Sequence, residues 1–222
     1  MQQINIGKNI ILNEDIKESY KTLKTNISFC GSYIKTIIVT STAPNEGKTT
    51  VSFNLAKTLA HERKRVLFID ADLRNSSFNN NYEISSEVPL YGLSHYLVKQ
   101  ADMKSIIYKS NIHYLDIILS GPSSPNPTQI LGDDALAYLI DTLYKTYDYI
   151  IIDTPPLGRV IDAAILANIS DGAVLVIEKD KLSYKEVQNV KKQLDKTSCR
   201  ILGAVLNKSD NKNKHYYSNI YE

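Results

Sequence analysis

The side chains best suited to phosphate chemistry in this sequence of 222 residues lie between Thr42 and Thr50. This segment follows an apolar run and precedes a helical pattern, which is the setting of a phosphate-binding loop. Backbone N–H groups of such a loop attract phosphate oxygens, and Gly47 lets the backbone approach them closely. Lys48 can reach the β- and γ-phosphates, and the Thr49 hydroxyl can bind Mg²⁺. Thr42 replaces the first glycine of the usual pattern.

Acidic side chains follow two further apolar segments. The first segment ends at Asp70 and continues to Asp72, and the second ends at Asp153. Ligands of an open parallel sheet bind outside the carboxyl ends of its strands, so we expect these carboxylates beside the phosphate loop. Together they can hold Mg²⁺ through its waters, and one of them can accept a proton from an attacking hydroxyl. The sequence leaves open whether Asp70 or Asp72 is that base.

The segments that position these residues alternate between strand and helix patterns. Strands are predicted at 36–41, 65–70, 114–119, 149–153, 173–177 and 201–207, and helices at 14–29, 48–61, 133–146, 160–168 and 183–195. Short strands that are apolar on both faces and separated by helices indicate a parallel sheet with two covered faces. We therefore predict an α/β fold with a doubly wound, mainly parallel sheet of the P-loop NTPase type.

The rest of the chain is predicted to be less regular. Residues 73–90 read as polar and irregular, and residues 120–128 as a proline-rich loop without an assigned chemical role. We divide the chain into one domain at 1–207 and a flexible tail at 208–222. Tyr216, Tyr217 and Tyr221 cluster in this tail, and a mobile tail can deliver a hydroxyl to the active site of a neighbouring chain.

Composition argues against a disordered chain, a nucleic-acid-binding protein, a membrane-spanning protein and a cysteine metal site. With 43% hydrophobic residues the chain can form an ordinary packed core, and a net charge of +2 gives no indication of nucleic-acid binding. Its apolar runs are shorter than the roughly 18–20 residues of a membrane-spanning helix, so we expect no direct membrane insertion. Two cysteines, Cys30 and Cys199, show no metal-ligand spacing.

In their order and spacing, these motifs resemble the bacterial tyrosine kinases of capsule and exopolysaccharide operons, in the form where the kinase is a separate cytoplasmic protein. The resemblance covers nearly the whole chain. The matching segments are 18–27, 41–50, 66–74, 121–131, 147–156, 202–208 and the tyrosine-rich tail. In place of Ala43, the related division and partition ATPases carry an additional lysine.

The resemblance implies roles for individual residues. Lys48, Asp70, Asp72 and Asp153 would be catalytic, and Thr49, Asp70, Asp72 and Asp153 would hold Mg²⁺. Nucleotide would bind at Pro44, Asn45, Glu46, Gly47, Lys48, Thr49, Thr50 and Asn207. Asn207 resembles an adenine contact, although a strand-end cap is an equally good interpretation. Tyr216, Tyr217 and Tyr221 would be the autophosphorylation sites.

The resemblance also implies partners. Glu18, Lys21 and Lys24 lie along one side of a helix where the family has a glutamate and two arginines that build a ring of subunits. Lysine lacks the bidentate fork of arginine, so a ring would be weaker, and a solvated helix face is the alternative. A transmembrane, polysaccharide co-polymerase-like adaptor would recruit the cytoplasmic chain to the inner face of the plasma membrane. A cognate tyrosine phosphatase would reverse the modification.

We therefore expect a protein-tyrosine kinase that uses ATP and Mg²⁺, phosphorylates its own tail in trans and regulates polysaccharide synthesis and export. The alternative from another class is a nucleotide-switched ATPase of the division or partition type, which would act as a positioning module without a protein substrate. Loss of the tail tyrosines would remove the main acceptor of a kinase and leave such a switch intact.

Overall fold

The structure, a computed structural model, describes residues 2–8, 12–181 and 183–209. Its strands are β1 (Gln2–Ile6), β2 (Thr36–Ser41), β3 (Val66–Asp70), β4 (Ile84–Ser85), β5 (Tyr108–Ser110), β6 (Leu115–Ile118), β7 (Tyr149–Asp153), β8 (Gly172–Glu178) and β9 (Arg200–Asn207). Its helices are α1 (Glu14–Phe29), α2 (Lys48–His61), α3 (Phe78–Tyr82), α4 (Leu93–Leu97), α5 (Met103–Ile106), α6 (Pro127–Leu131), α7 (Asp134–Tyr144), α8 (Asp162–Asn168) and α9 (Tyr184–Leu194).

The described strands form one sheet in the order β4-β1-β5-β6-β3-β7-β2-β8-β9. The neighbours from β6 to β9 are parallel to one another, whereas β5 pairs with β6 and β1 pairs with β4 in antiparallel fashion. Strand β2, which leads into the phosphate loop, lies between β7 and β8. The predicted doubly wound, mainly parallel α/β fold is confirmed.

Side chains of the central strands alternate between two apolar layers because successive residues of a strand point to opposite faces. On one face, Ile38 and Ile152 belong to a cluster that includes residues of α7, α8 and α9. On the other face, Ile37 and Ile151 belong to a cluster that includes residues of α1 and α2. Burial on both faces explains why these strands are continuously apolar in the sequence.

An aromatic group anchors α2, which begins at the phosphate loop, to the sheet. The Phe53 ring lies 5.3 Å from that of Phe68 in β3 and 5.0 Å from that of Phe78 in α3, with both pairs close to edge-to-face. Tyr82 completes the group, with its ring centroid 4.4 Å from that of Phe53. These contacts hold the phosphate-loop helix and the strand of Asp70 in one rigid unit.

The sequence prediction is wrong in part for two segments. Residues 73–90 contain α3 and β4, and the proline-rich loop passes into α6 at Pro127. Strands β1, β4 and β5 were not predicted; they have two to five residues each and lie toward one edge of the sheet. Elements this short carry too little apolar periodicity to be recognised from sequence.

The opposite edge of the sheet is β9, which is paired only with β8 among the described strands. Ala173 pairs with Ile201 and Val174 with Gly203, so Leu202 is an extra residue that forms a bulge in β9. All eight residues of β9 are partly or fully exposed. Within residues 2–8, 12–181 and 183–209, no helix has the length and apolar character needed to cross a bilayer.

We expect Phe53→Ala to lower the free energy of unfolding by about 3–5 kcal/mol, because it leaves a cavity among buried rings. Phe29→Ala is the matched control: Phe29 is 81% exposed, whereas Phe53 is 1% exposed. The control should change stability by less than about 0.5 kcal/mol. Chemical denaturation of both variants measures the difference, and equal losses would show that the aromatic group does not anchor α2.

Candidate functional site

The phosphate loop, residues 42–49, turns into α2 at Gly47. Gly47 adopts a left-handed conformation with φ of 90°, and α2 begins at the next residue, Lys48. A Cβ atom at Gly47 would lie 2.1 Å from Nδ2 of Asn207. The left-handed backbone angle therefore favours glycine here, and the Asn207 amide occupies the space that a side chain would take. The first turn of α2 leaves N–H groups available to an anion, as the sequence predicted.

Glu46 shapes the phosphate loop from inside the protein. Its side chain is fully buried, and its Oε2 accepts a hydrogen bond from the backbone N–H of Ala43 at 2.7 Å. Its Oε1 accepts from the N–H of Glu178 in β8 at 3.1 Å, and Nδ2 of Asn207 donates to the Glu46 carbonyl at 2.8 Å. Glu46 thus supports the loop through backbone contacts and ties it to β8 and β9.

The departure of Thr42 from the glycine pattern has a structural explanation. Thr42 does not adopt a positive φ, so its backbone does not need glycine. The close approach is accommodated by Gly158 in the segment that follows β7, where a Cβ would lie 2.1 Å from the Thr42 carbonyl oxygen. Sequence reasoning missed Gly158 because this contact joins residues far apart in the chain.

Two lysines hold the outer side of the phosphate loop. Nζ of Lys181 donates to the Pro44 carbonyl at 3.2 Å, and Nζ of Lys208 donates to the Asn45 carbonyl at 2.8 Å. Glu178 joins the two lysines, with distances of 2.6 Å to Lys181 and 3.0 Å to Lys208. Hydrogen bonds from both lysines keep the pKa of Glu178 below its usual value. Glu178 and Lys181 were not predicted from the sequence, because their roles depend on contacts with a distant loop.

The residues predicted to bind phosphate and metal lie together. The Thr49 hydroxyl donates to Oδ2 of Asp153 at 2.5 Å, and Nζ of Lys48 lies 3.8 Å from Oδ2 of Asp72. Asp70 and Asp153 are paired in register on β3 and β7. The structure therefore brings Lys48, Thr49, Asp70, Asp72 and Asp153 together at the carboxyl ends of the central strands, with Asn207 behind the phosphate loop.

These residues fit a divalent metal held mainly by water and phosphate. Oδ1 of Asp153 is buried and has no hydrogen-bond partner in the described part of the chain, so it can accept from a metal-bound water. The described residues contain no cluster of three or more His, Cys, Asp or Glu able to cage a metal. A site with few protein ligands is typical of Mg²⁺ at nucleotide phosphates.

Burial raises the pKa of both strand-end carboxyl groups. The pKa of Asp153 rises to about 7, because desolvation outweighs the attraction of Lys48 and the hydrogen bond from Thr49. The pKa of Asp70 rises to about 6, again mainly through desolvation, although a hydrogen bond from the Ser76 hydroxyl opposes the shift. Metal binding favours the ionised carboxylates, so loading the site releases protons.

The acidic loop, residues 71–77, follows β3 and borders a polar cleft. The N–H groups of Arg74 and Asn75 donate to Oδ1 of Asp72 at 3.3 Å and 3.0 Å. The cleft has a volume of about 330 Å³ and is lined by residues of the acidic loop, by Asn79 and Asn80, and by Ser120, Gly121 and Ser123. Asp72 lines this cleft, whereas Asp70 is fully buried beneath it.

The predicted oligomerisation residues are not equally available on α1. Glu18 and Lys21 are exposed and form an ion pair with each other at 3.0 Å. Lys24 is 20% exposed and pairs with Glu62, which follows α2 in the same chain. The predicted tyrosine sites, Tyr216, Tyr217 and Tyr221, lie outside the described residues.

Comparison with known proteins identifies relatives over most of the chain. Residues 34–203 match the family model described as an AAA domain. A tyrosine-protein kinase CpsD from Streptococcus agalactiae serotype III (strain NEM316) is 38% identical over 86% of this chain and 82% of its own length. A tyrosine-protein kinase YwqD from Bacillus subtilis (strain 168) is also 38% identical, over 86% of this chain and 80% of its own length.

Solved structures of similar fold also cover most of this chain. The chimerical protein CapA2B2 superimposes with a TM-score of 0.81 at 31% identity, covering 93% of each chain. The septum site-determining protein MinD from Pyrococcus horikoshii OT3, in complex with Mg-ADP, superimposes with a TM-score of 0.67 at 25% identity, covering 78% of this chain and 70% of that one. The fold is thus common to both of these proteins, and this chain is more similar to CapA2B2 than to MinD.

The raised pKa of Asp153 predicts how stability depends on pH without nucleotide and metal. An unfolded aspartate ionises near pH 4, whereas folded Asp153 ionises near pH 7, so the folded state retains the proton longer. Stability from this group is therefore full below pH 4 and is lost as the pH rises toward 7. Asp153→Asn should remove this loss. At pH 8 its free energy of unfolding should exceed that of the wild type by about 1–4 kcal/mol.

Denaturant unfolding between pH 4 and pH 8 measures this difference. Asp141→Asn is the control, because the Asp141 side chain is 76% exposed and pairs only loosely with Lys145, at 3.9 Å. The control should follow the wild-type curve. Parallel curves for the wild type and Asp153→Asn would contradict a raised pKa at Asp153.

Proposed function

From the premise that this chain belongs to the bacterial tyrosine-protein kinases with an AAA domain, we propose that it phosphorylates its own C-terminal tyrosines in a neighbouring copy. As a member of this family it is a tyrosine-protein kinase that binds ATP and a divalent metal. The observation that carries the proposal is the convergence of Lys48, Thr49, Asp72 and Asp153 beside an open polar cleft.

In this proposal the phosphate loop and Lys48 bind and orient the nucleotide phosphates. The N-terminal N–H groups of α2 attract the phosphate oxygens, and Lys48 offsets the charge that develops on the transferred group. Thr49 and Asp153 would hold Mg²⁺, which neutralises phosphate charge when bound. Asn207 remains the proposed adenine contact, and its side-chain amide also donates a hydrogen bond to the Glu46 carbonyl.

An aspartate next to the phosphate loop would accept the proton of the acceptor tyrosine. Asp72 is the better placed of the two predicted bases, because it lines the open cleft while Asp70 is fully buried. Lys48 lies 3.8 Å from the Asp72 carboxylate and keeps it close to the phosphate-binding loop. A tyrosine hydroxyl that enters the cleft would therefore meet its base beside the γ-phosphate.

The tail is proposed as the acceptor because three of its final seven residues are tyrosines: Tyr216, Tyr217 and Tyr221. It begins at Lys208, whose side chain contacts the phosphate loop of its own chain. Each phosphate adds a charge of roughly −1.5 to −2 at neutral pH. Phosphorylation would convert a lysine-rich segment into an acidic one, which would weaken an assembly in which the tail docks on a neighbouring subunit.

The cellular role follows from the family resemblance. We assign the chain to the synthesis and export of a capsular or exopolysaccharide, at the inner face of the plasma membrane, to which a transmembrane adaptor would recruit it. The chimeric nature of CapA2B2, a similar structure, supports a partner polypeptide for this fold. A tyrosine phosphatase would remove the phosphate groups from the tail tyrosines.

The expected result with Mg-ATP is phosphate on Tyr216, Tyr217 or Tyr221. Peptide mass spectrometry locates the phosphate, with the protein alone and with a peptide from the cytoplasmic end of the adaptor. Lys48→Met should abolish the modification, because it removes the cation that contacts the phosphates. ATP consumption without phosphate on the protein, under both conditions, would favour the nucleotide-switched ATPase.

A mixture of two variants tests transfer between chains. One chain carries Lys48→Met and its natural tail, and the other is otherwise wild type but has the three tail tyrosines changed to phenylalanine. Phosphate on the Lys48→Met chain in the mixture is expected, since its own site is inactive. If that chain stays unmodified while the wild type modifies itself, transfer occurs within one chain.

We also propose that the chain forms oligomers through the exposed face of α1 that carries Glu18 and Lys21. Glu18→Lys should shift the protein toward monomer in sedimentation velocity, because it places two like charges on this face. Asp141→Lys is the matched control, since Asp141 is 76% exposed on α7, a different helix, and also has a lysine one turn after it. Equal behaviour of the two variants would leave α1 without a role in assembly.

A further inference from the structure

Arg74 forms a polar ring with two residues that the proposed mechanism does not use. Its Nε donates to Oδ2 of Asp162 at 2.6 Å, and its Nη2 donates to Oδ1 of the same carboxylate at 3.1 Å. The same Nη2 donates to the Thr128 hydroxyl at 2.9 Å, and that hydroxyl donates to Oδ1 of Asp162 at 2.7 Å. The three side chains are therefore hydrogen-bonded to one another, and the guanidinium of Arg74 makes a bidentate contact with the carboxylate of Asp162.

Burial makes this ring a strong constraint on the position of Arg74. The side chain of Asp162 is 1% exposed, whereas that of Arg74 is 38% exposed. A buried carboxylate without a partner would destabilise the folded protein. The ion pair with the Arg74 guanidinium compensates the charge of Asp162 and thereby keeps the guanidinium in place. The hydrogen bond to Asp162 also raises the pKa of Arg74 above its usual value. Lysine at position 74 would keep the charge but would lose the planar fork.

The ring connects the acidic loop to two other elements. Asp162 is the first residue of α8, and Thr128 belongs to the proline-rich loop and α6. The proline-rich loop touches the acidic loop a second time, because the Ser124 N–H donates to the Leu73 carbonyl at 3.0 Å. The backbone N–H of Arg74 in turn donates to the carboxylate of Asp72.

We infer that Arg74 is a positioning residue that uses Asp162 and Thr128 as a fixed anchor to hold the carboxylate of Asp72 at the phosphate site. The anchor fixes the side chain of Arg74, and the backbone N–H of Arg74 then fixes Asp72. This assigns a role to the proline-rich loop, which supplies Thr128 and Ser124. The inference rests on tyrosine-kinase activity and does not depend on the tail being the acceptor.

Arg74→Lys tests the inference by steady-state kinetics with an added tyrosine peptide. We expect kcat to fall about 10- to 100-fold, because a shift of about 1 Å at a reacting group has effects of this size. The KM for ATP should stay within about twofold, since Arg74 does not contact the phosphate loop in the described structure. Arg65→Lys is the matched control at the other end of β3, where Arg65 pairs with Asp148 at 3.2 Å with both side chains exposed, and it should match the wild type.

Hydrogen–deuterium exchange supplies a second measurement that requires no activity. In Arg74→Lys, the amides of residues 73–77 should exchange faster, while those of the phosphate loop and β3 should exchange at the wild-type rate. Peptides from residues 121–131 should also exchange faster, because the proline-rich loop shares the anchor.

A double variant, Arg74→Met with Asp162→Leu, separates positioning from folding. It removes both charges together, so no buried charge is left without a partner. We expect this variant to remain folded, with loss of kcat at least as large as in Arg74→Lys. Wild-type kcat in either variant, unchanged exchange of residues 73–77, or a loss of kcat that only follows the unfolded fraction would overturn the inference.

Discussion

The structure depends on placing two buried carboxylates side by side at the ends of neighbouring strands. Asp70 and Asp153 are register partners on β3 and β7, and both are almost completely buried. Their proximity and burial oppose ionisation, so the surrounding groups must compensate. Lys48 and Thr49 supply positive charge and a hydrogen bond from the phosphate loop, and Ser76 supplies a hydrogen bond from the acidic loop. These contacts at the carboxyl ends of β3 and β7 therefore couple the phosphate loop to both strands.

The phosphate loop keeps its shape through contacts from other parts of the chain. Glu46 ties it to β8, Asn207 ties it to β9, and Gly158 makes room for the Thr42 carbonyl. Lys181 and Lys208 bind two carbonyl oxygens on its outer side. Such a loop is held before nucleotide arrives, so less conformational entropy is lost on binding.

The central fold was predictable because its signals are local. Strands β2 and β7 and helices α1 and α2 have the predicted bounds, since continuous apolar runs and helical periodicity directly reflect burial. The residues of the site could be proposed from a loop motif and two strand-end carboxylates. Gly158, Glu178 and Asp162 could not, because their roles arise from contacts with distant segments. The short strands β1, β4 and β5 were also missed, since pairing with neighbours and not composition makes them strands.

The bulge at Leu202 bears on how copies of this chain can meet. An exposed edge strand offers unpaired backbone groups on which a second sheet can grow, and such growth leads to open-ended aggregates. In β9 the extra residue interrupts the regular spacing of these groups next to Gly203, which lacks a side chain to pack. A strand approaching from another molecule would find its hydrogen-bond ladder out of step after a few residues. An edge interrupted in this way discourages continued sheet extension at β9.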